Sequence, residues 1–411
     1  EVPVNRLAPA LSLALSTLAL GALAASCSAG TDANDGPGSS GTNSGGTGAN
    51  GQGGGIFAGV GGGGLQPEIG GLSGRVTAPE GTIPIDGALV YLTQTPPEAI
   101  PDGVYCDKCV EIDPSLPHDF SAPDGSFRVP TTGAGPHFLV VQKGQFRRVR
   151  QVDVVAGEIQ ADAESTRLPS RMDKANGDDI PKMAVLRGNS DDIVSSLVGL
   201  GVDAGEIDVY TCDFFACNTP FEDYATLSQY HIAFVPCDAG CSGNDTSQGQ
   251  AIQQFVAAGG KYYVTDWSYQ WMQRPFPGYV SFQDAGGDAC GGIYDATAAS
   301  IDPGLSAWLG AQNVTNPTFE DSWTVINSVN PVQTTDVNDQ PATVTPKVWI
   351  TGNTPSGPRP LTISFERGCG RVLFSTYHTE TDGSGGLKPQ ELALLYVLLE
   401  VGVCVEPVVP Q

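Results

Sequence analysis

Positive charge is scarce in this sequence: 20 Lys and Arg stand against 45 Asp and Glu over 411 residues, a formal net charge of −25. That imbalance repels nucleic-acid phosphate and anionic lipid headgroups, which excludes nucleic acid as a partner and leaves cationic partners or divalent ions open. It also serves solubility alone in an exported domain. Long apolar runs are scarce too. Past residue 26 no stretch is apolar enough to cross a bilayer as a helix, so membrane attachment falls to the N-terminal segment. Between Ser28 and Gly64 the chain has almost no side chains that could build a core; the segment includes TDANDGPGSSGTNSGGTGANGQGGG and ends in GGGG. Such a composition is a flexible tether. Its Asp32, Asn34 and Asp35 are followed by no Glu at the spacing of a calcium loop. Histidine occurs four times. His118, His137 and His231 have no supporting neighbours and read as loop, strand and strand-edge residues.

What the sequence does contain begins with a leader. Arg6 precedes an apolar stretch from Leu7 to Ala25, and small residues crowd its end, the pattern of a cleaved export signal. Ala24-Ala25-Ser26-Cys27 resembles the lipobox of bacterial lipoproteins, although Leu is commoner than Ala at its first position. The resemblance implies that Cys27 is acylated after cleavage. Ser28 stands where an Asp would retain such a protein at the inner membrane, which implies the outer membrane or cell surface. On this reading residues 1–27 are signal peptide and lipobox, 28–66 are the tether, and the membrane is met through a lipid anchor only.

Two domains of different pattern follow. From Pro67 to Leu168, strands are predicted at Leu72–Thr77, Ala88–Leu92, Ser126–Pro130, Phe138–Gln142 and Arg147–Val155, with a turn at Asp124-Gly125. Five short strands in about 100 residues predict an antiparallel β-sandwich over 67–168. Ser73-Gly74-Arg75-Val76, Gly87-Ala88-Leu89-Val90-Tyr91, Asp124-Gly125-Ser126-Phe127 and Gly135-Pro136-His137-Phe138 resemble the carboxypeptidase regulatory-like domain. That resemblance implies a spacer or docking module without catalysis of its own. Beyond Ser170–Asp178, strands alternate with helices. Lys182–Leu186, Glu206–Tyr210, His231–Val235 and Lys261–Thr265 read as strands. A helix capped by Asp191 or Ser190 runs to Leu200, and another, Gln250–Ala258, follows a capping box at Ser247-Gln248-Gly249-Gln250. This alternation predicts a parallel, doubly wound α/β sheet over 178–404. Residues 272–344, rich in Gly, Pro, Asn and Asp, read as an irregular insertion with one short helix, Gly304–Gly310. After strands Lys347–Thr351, Leu361–Glu366 and Arg371–Thr376, the helix Pro389–Val401 is apolar almost all round and must be buried.

Tyr230 to Pro236, Phe255 to Val264 and Gly370 to His378 resemble the class I glutamine amidotransferase-like superfamily, particularly its trehalose-utilisation-type branch. The resemblance implies a flavodoxin-like fold, with a nucleophilic cysteine on a strained elbow after the fourth strand and a His-x-Glu pair further on. His378-Thr379-Glu380 supplies the pair, but the elbow reads Thr265-Asp266-Trp267-Ser268-Tyr269, with no cysteine. Acyl transfer needs a nucleophile within reach of its base. Ser268 is a substitute without the glycine flanks of an elbow, and Asp266 could join His378 and Glu380 as a metal site or acid-base pair. Trp267, Tyr269, Trp271 and Tyr377 fall on the expected pocket rim, suited to stacking on a sugar or peptide, or else belong to the core.

With Cys27 acylated, nine cysteines remain. An oxidising envelope favours disulfides and leaves one thiol over. Cys106 and Cys109 have the spacing of a redox pair or half a zinc site, and are expected to form a local loop bridge; Cys212, Cys217, Cys237 and Cys241 are expected to staple two neighbouring loops, though they could bind a soft metal. Cys369, in the turn before strand Arg371–Thr376, and Cys404, beyond an antiparallel last helix, are expected to pair; the alternative is that one of them is the odd thiol, with Cys290 paired elsewhere. The whole reads as a cell-envelope lipoprotein with a spacer sandwich and a non-catalytic amidotransferase-like domain acting in binding or structure. No cofactor and no metal are expected. The alternative is a hydrolase using Ser268, or a metal at Asp266, His378 and Glu380.

Overall fold

The computed structural model of the chain describes residues 67–106, 109–113, 115–188, 190–211, 220–237, 239, 246–283, 290–336, 340–379, 387–399 and 402–405. The leader, Cys27 and the tether lie outside these, as do Cys212, Cys217, Cys241 and Glu380.

The first described region builds two sheets. Gly70–Arg75 lies between Ser126–Thr131 and Gly157–Gln160, antiparallel to the former and parallel to the latter. The second sheet runs in the order His118–Phe120, Leu89–Thr93, Gly135–Lys143, Phe146–Val154, Asp178–Asp179, antiparallel throughout. Period-two alternation gives each strand one inward face. Phe127 and Val129 point into the core while Ser126 and Arg128 stay exposed. The turn before them forms because Gly125 takes φ +82°, and Asp124 Oδ1 accepts the Ser126 main-chain N–H at 3.0 Å.

A nine-stranded sheet organises the rest. Its order is Ile207–Tyr210, Met183–Leu186, Ile232–Val235, Lys261–Thr265, Gly370–Ser375, Gly357–Arg367, Lys347–Thr354, Cys290–Ile301, Thr318–Thr324. The first five strands are parallel and the others antiparallel. Met183–Leu186, Ile232–Val235 and Lys261–Thr265 are buried at every position, as strands covered on both faces must be. Successive residues feed opposite cores. Val185, Ile232, Phe234, Tyr263 and Leu373 join one with helices Ile193–Gly199 and Pro389–Leu399; Val235, Tyr262, Val264 and Phe374 join another with helix Thr246–Ala257.

The first of these cores also contains Leu72, Val90, Val129 and Leu139. The 67–168 region is therefore no free-standing spacer: its hydrophobic interior is continuous with one face of the large sheet. Trp308, 1% exposed, reaches across to donate its indole N–H to the Pro84 carbonyl at 2.7 Å. Buried ion pairs add to the joint, with Arg147 on Asp179 at 2.8 Å and Arg148 on Asp178 at 2.9 Å.

The described residues of 272–344 are not irregular. They form strands Val280–Phe282, Cys290–Ile301, Thr318–Thr324, Ile326–Val329, Val332–Thr335 and Pro341–Val344, and a helix, Pro303–Ala311. Glycine, threonine and aspartate hide these strands from a hydrophobicity reading because many of their positions are only half-buried, and the pairing of Cys290–Ile301 shifts register repeatedly. The helix starts at Pro303 because Asp302 caps it, accepting Gly304 N–H at 3.1 Å. Two other boundaries move. Asp192, not Asp191 or Ser190, caps Ile193–Gly199, accepting Ser195 N–H at 3.1 Å, and the helix predicted from Gln250 begins at Thr246.

The expected cysteine pairings are corrected as well. Cys106 bonds Cys369, 263 residues away, with Cα atoms 5.1 Å apart. Neither a local Cys106 to Cys109 bridge nor a Cys369 to Cys404 bridge forms. Cys404 is drawn elsewhere because the segment after the last helix, Gly402–Val405, pairs in parallel with Cys109–Ile112. The loop leading to Cys106 straps the amino ends of the parallel strands. Val104 N–H donates to Ser228 O at 2.8 Å. His231 accepts Lys182 N–H on Nδ1 at 2.8 Å, so Nε2 carries the proton and meets Pro101 O at 3.1 Å. Gly259, at φ +122°, is required there, since a Cβ would lie 1.8 Å from Tyr105 O.

Candidate functional site

At the opposite ends of the same strands, four side chains converge. Asp191 follows strand Met183–Leu186, Cys237 follows Ile232–Val235, Asp266 follows Lys261–Thr265, and His378 follows Gly370–Ser375. These strands are neighbours in the sheet, so residues just beyond their carboxyl ends share one edge. Asp266 occupies the sharp turn into helix Tyr269–Gln273 with φ +40°, a left-handed conformation that a non-glycine residue adopts only when its surroundings hold it there.

His378 Nε2 lies 3.0 Å from Cys237 Sγ and 3.1 Å from Asp266 Oδ2, and the sulfur is 3.9 Å from that carboxylate oxygen. Cys237 carries a thiol rather than a disulfide, which corrects its expected place in a loop staple. It and Asp266 are 0% exposed, and His378 is 4%. Asp266 Oδ1 accepts Thr324 N–H and Thr324 Oγ1–H, each at 2.7 Å, and Trp323 N–H approaches both carboxylate oxygens, at 3.1 and 3.0 Å. Burial pushes the Asp266 carboxyl above the usual carboxylate range, against the opposing pull of His378 and Thr324. Asp191 is raised by burial too, with Thr265 and Thr379 opposing. Its Oδ1 accepts Thr379 N–H at 3.1 Å; its Oδ2 accepts Thr265 Oγ1–H and, at 3.4 Å, Cys237 N–H.

The remaining sequence candidates divide. Ser268 Oγ donates to Pro236 O at 2.7 Å and accepts Ala239 N–H at 3.2 Å, so its hydroxyl fastens the loop after Val235 instead of facing His378. Glu380 is outside the described residues. Tyr269, Trp271 and Tyr377 are core residues, at most 4% exposed, packing on Phe282, Phe221 and Phe319. Of the expected rim only Trp267 is partly exposed; it stacks on Trp323 with ring centroids 5.4 Å apart and planes within 2°. A cleft opens beside the cluster, lined among others by Arg187, Ser190, Asp191, Asp192 and Pro236, but Cys237, Asp266 and His378 do not line it.

Sequence reasoning placed Asp266 and His378 together and missed Cys237 and Asp191 as their neighbours. The signal was present: each follows a fully apolar strand at the same sheet edge. Cys237 was masked by Cys241 four residues on, and Asp191 by its resemblance to a helix cap.

No family model matches the chain, and no curated protein matches it. Among solved structures it is similar to a cytoplasmic protein of Salmonella typhimurium, at 12% identity over 53% of this chain and 97% of that one, TM-score 0.34. A ThuA-like protein of Bacteroides uniformis is similar at 13% identity over 53% of this chain and 88% of that one, TM-score 0.31. A β-galactosidase from Bacillus circulans shares 13% identity over 53% of this chain but only 30% of its own length, TM-score 0.30. Likenesses this slight decide neither fold nor activity.

Proposed function

We propose that the chain is an exported, lipid-anchored protein of the outer membrane or cell surface whose flavodoxin-like, amidotransferase-like half binds or scaffolds and does not hydrolyse. One observation carries the non-hydrolytic reading: Asp266 stands at the strained turn where the resembled superfamily has its nucleophilic cysteine, and its carboxylate is 0% exposed under Trp323 and Thr324. A nucleophile has to reach a substrate carbonyl, and a carboxylate roofed by main-chain donors has no approach path. The partly exposed, stacked Trp267 and Trp323 pair is the surface suited to stacking on a sugar or peptide. Full-length protein assayed on ester and amide substrates is expected to show no turnover above buffer. Turnover abolished by Asp266→Asn or Ser268→Ala overturns this. The anchor rests on Cys27: Cys27→Ala is expected to release the protein from membranes and abolish palmitate labelling, and membrane retention of an unlabelled wild type overturns it.

A second reading is favoured by the 3.0 Å approach of His378 Nε2 to Cys237 Sγ, the distance of a thiol nucleophile from its base. It makes Cys237, not Ser268, the attacking group. Amide hydrolysis lost in Cys237→Ala and blocked by iodoacetamide would establish it.

A further inference from the structure

We propose that Cys237, Asp266 and His378 are three ligands of one buried zinc-type divalent cation. The inference deepens the sealed, non-hydrolytic reading and rests on it for the site's isolation from solvent. It starts from a valence problem. A neutral imidazole nitrogen offers either one N–H or one lone pair, yet His378 Nε2 faces two groups at nearly the same distance, the thiol at 3.0 Å and the carboxylate at 3.1 Å. Both of those groups are acids, and both are fully buried. One proton on Nε2 joins the ring to one of them at a time, while Oδ2 also takes the Trp323 N–H at 3.0 Å and lies 3.9 Å from the sulfur, so three ligand-type atoms crowd one buried point. A cation at their centre satisfies all three at once. The donor atoms lie 3.0, 3.1 and 3.9 Å from one another, near the edges of one face of a tetrahedral ion whose fourth position a water would take.

The donor types select the metal. A thiolate, an imidazole and a carboxylate suit zinc, whereas magnesium and calcium take oxygen ligands. The supports around the ligands fit a built centre. Thr324 N–H, Thr324 Oγ1–H and Trp323 N–H hold the Asp266 carboxylate so that Oδ2 alone turns toward sulfur and imidazole. Asp191 ties together the main chain at Cys237 and at Thr379, the residue after His378, with Oδ2 on one N–H and Oδ1 on the other. Such outer contacts orient metal ligands. The left-handed backbone at Asp266 is strain concentrated on a ligand, where it aims the side chain.

Because the centre is sealed, the ion enters as the chain folds, so the test uses full-length protein produced in zinc-supplemented medium and dialysed. One zinc per chain is expected. X-ray absorption at the zinc edge is expected to show a single sulfur at about 2.3 Å with nitrogen and oxygen at about 2.0–2.2 Å. Asp191→Asn, which removes no ligand, is expected to weaken zinc retention against a chelator by about 10- to 100-fold. A folded wild type without zinc overturns the proposal, as does zinc with no sulfur or with several, which would put it among other cysteines. These spectra need no ligand variant, so a misfolded Cys237→Ser protein does not block the decision. Zinc present together with zinc-dependent hydrolysis would refute the non-hydrolytic reading and keep the metal site; zinc absent with no hydrolysis would do the reverse.

Discussion

The two ends of the parallel strands are both closed by segments distant in sequence, yet they differ in kind. At the amino ends the strap from Pro101 to Cys106 closes with main-chain hydrogen bonds and a disulfide, and its histidine, His231, is held between Lys182 N–H and Pro101 O. At the carboxyl ends strand Thr318–Thr324, part of the insertion, closes over Asp266, whose carboxylate and the Cys237 thiol flank His378. Both histidines are nearly fully buried. What separates a structural imidazole from one with chemistry is the acidity of its neighbours. Burial lowers the His231 pKa, which keeps the ring neutral and suits two main-chain partners.

Breaking the covalent part of the amino end is expected to have the largest effect. Cys106→Ser should cost about 2–5 kcal/mol, read as a fall in the unfolding midpoint, because the bond closes a long loop in the unfolded chain. The cluster at the other end should keep its spectrum. Gly259→Ala tests the close approach without touching the disulfide; a side chain at φ +122° against Tyr105 O is expected to cost about 1–3 kcal/mol in denaturant titration. A pH titration isolates the charged joint beside the strap. Burial by itself would raise Asp178, but hydrogen bonds from Arg148 and Arg150 outweigh it and hold the native pKa below its ordinary value. The stability it contributes is therefore complete above the unfolded pKa of about 3.9 and is lost as pH falls through the lower native value. Thermal unfolding followed from pH 6 downward should show a shallower acid limb in Asp178→Asn. The smallest effect is expected of Ser268→Ala at the carboxyl end, about 1 kcal/mol for its hydrogen bonds to Pro236 and Ala239, with hydrolysis unaltered.

Local pattern made part of this legible. The alternating strands, the Asp124-Gly125 turn and the strand-helix repeats were readable because each is encoded within a few residues, and the repeats alone bring Asp266 and His378 to one edge. The strap was not readable, because nothing in Pro101 to Cys106 names Ser228 or Gly259 as its partner. Disulfide connectivity has the same character, since spacing does not specify which distant cysteine a loop will meet. The insertion failed for another reason: strands such as Thr318–Thr324 are too polar for a hydrophobicity pattern to reveal, and their worth lies in the main-chain donors they bring to Asp266.

The Cys106 to Cys369 bond makes a closed covalent ring of everything between those residues, including Asp191, Cys237 and Asp266, with His378 just outside it. A protease that cuts once in any loop within that ring opens it without releasing a fragment. The pieces stay joined until the bond is reduced, so a nicked molecule runs whole on a non-reducing gel and in two parts on a reducing one. Resistance to being cut apart is thus a property of the connection between the two halves and not of either half alone.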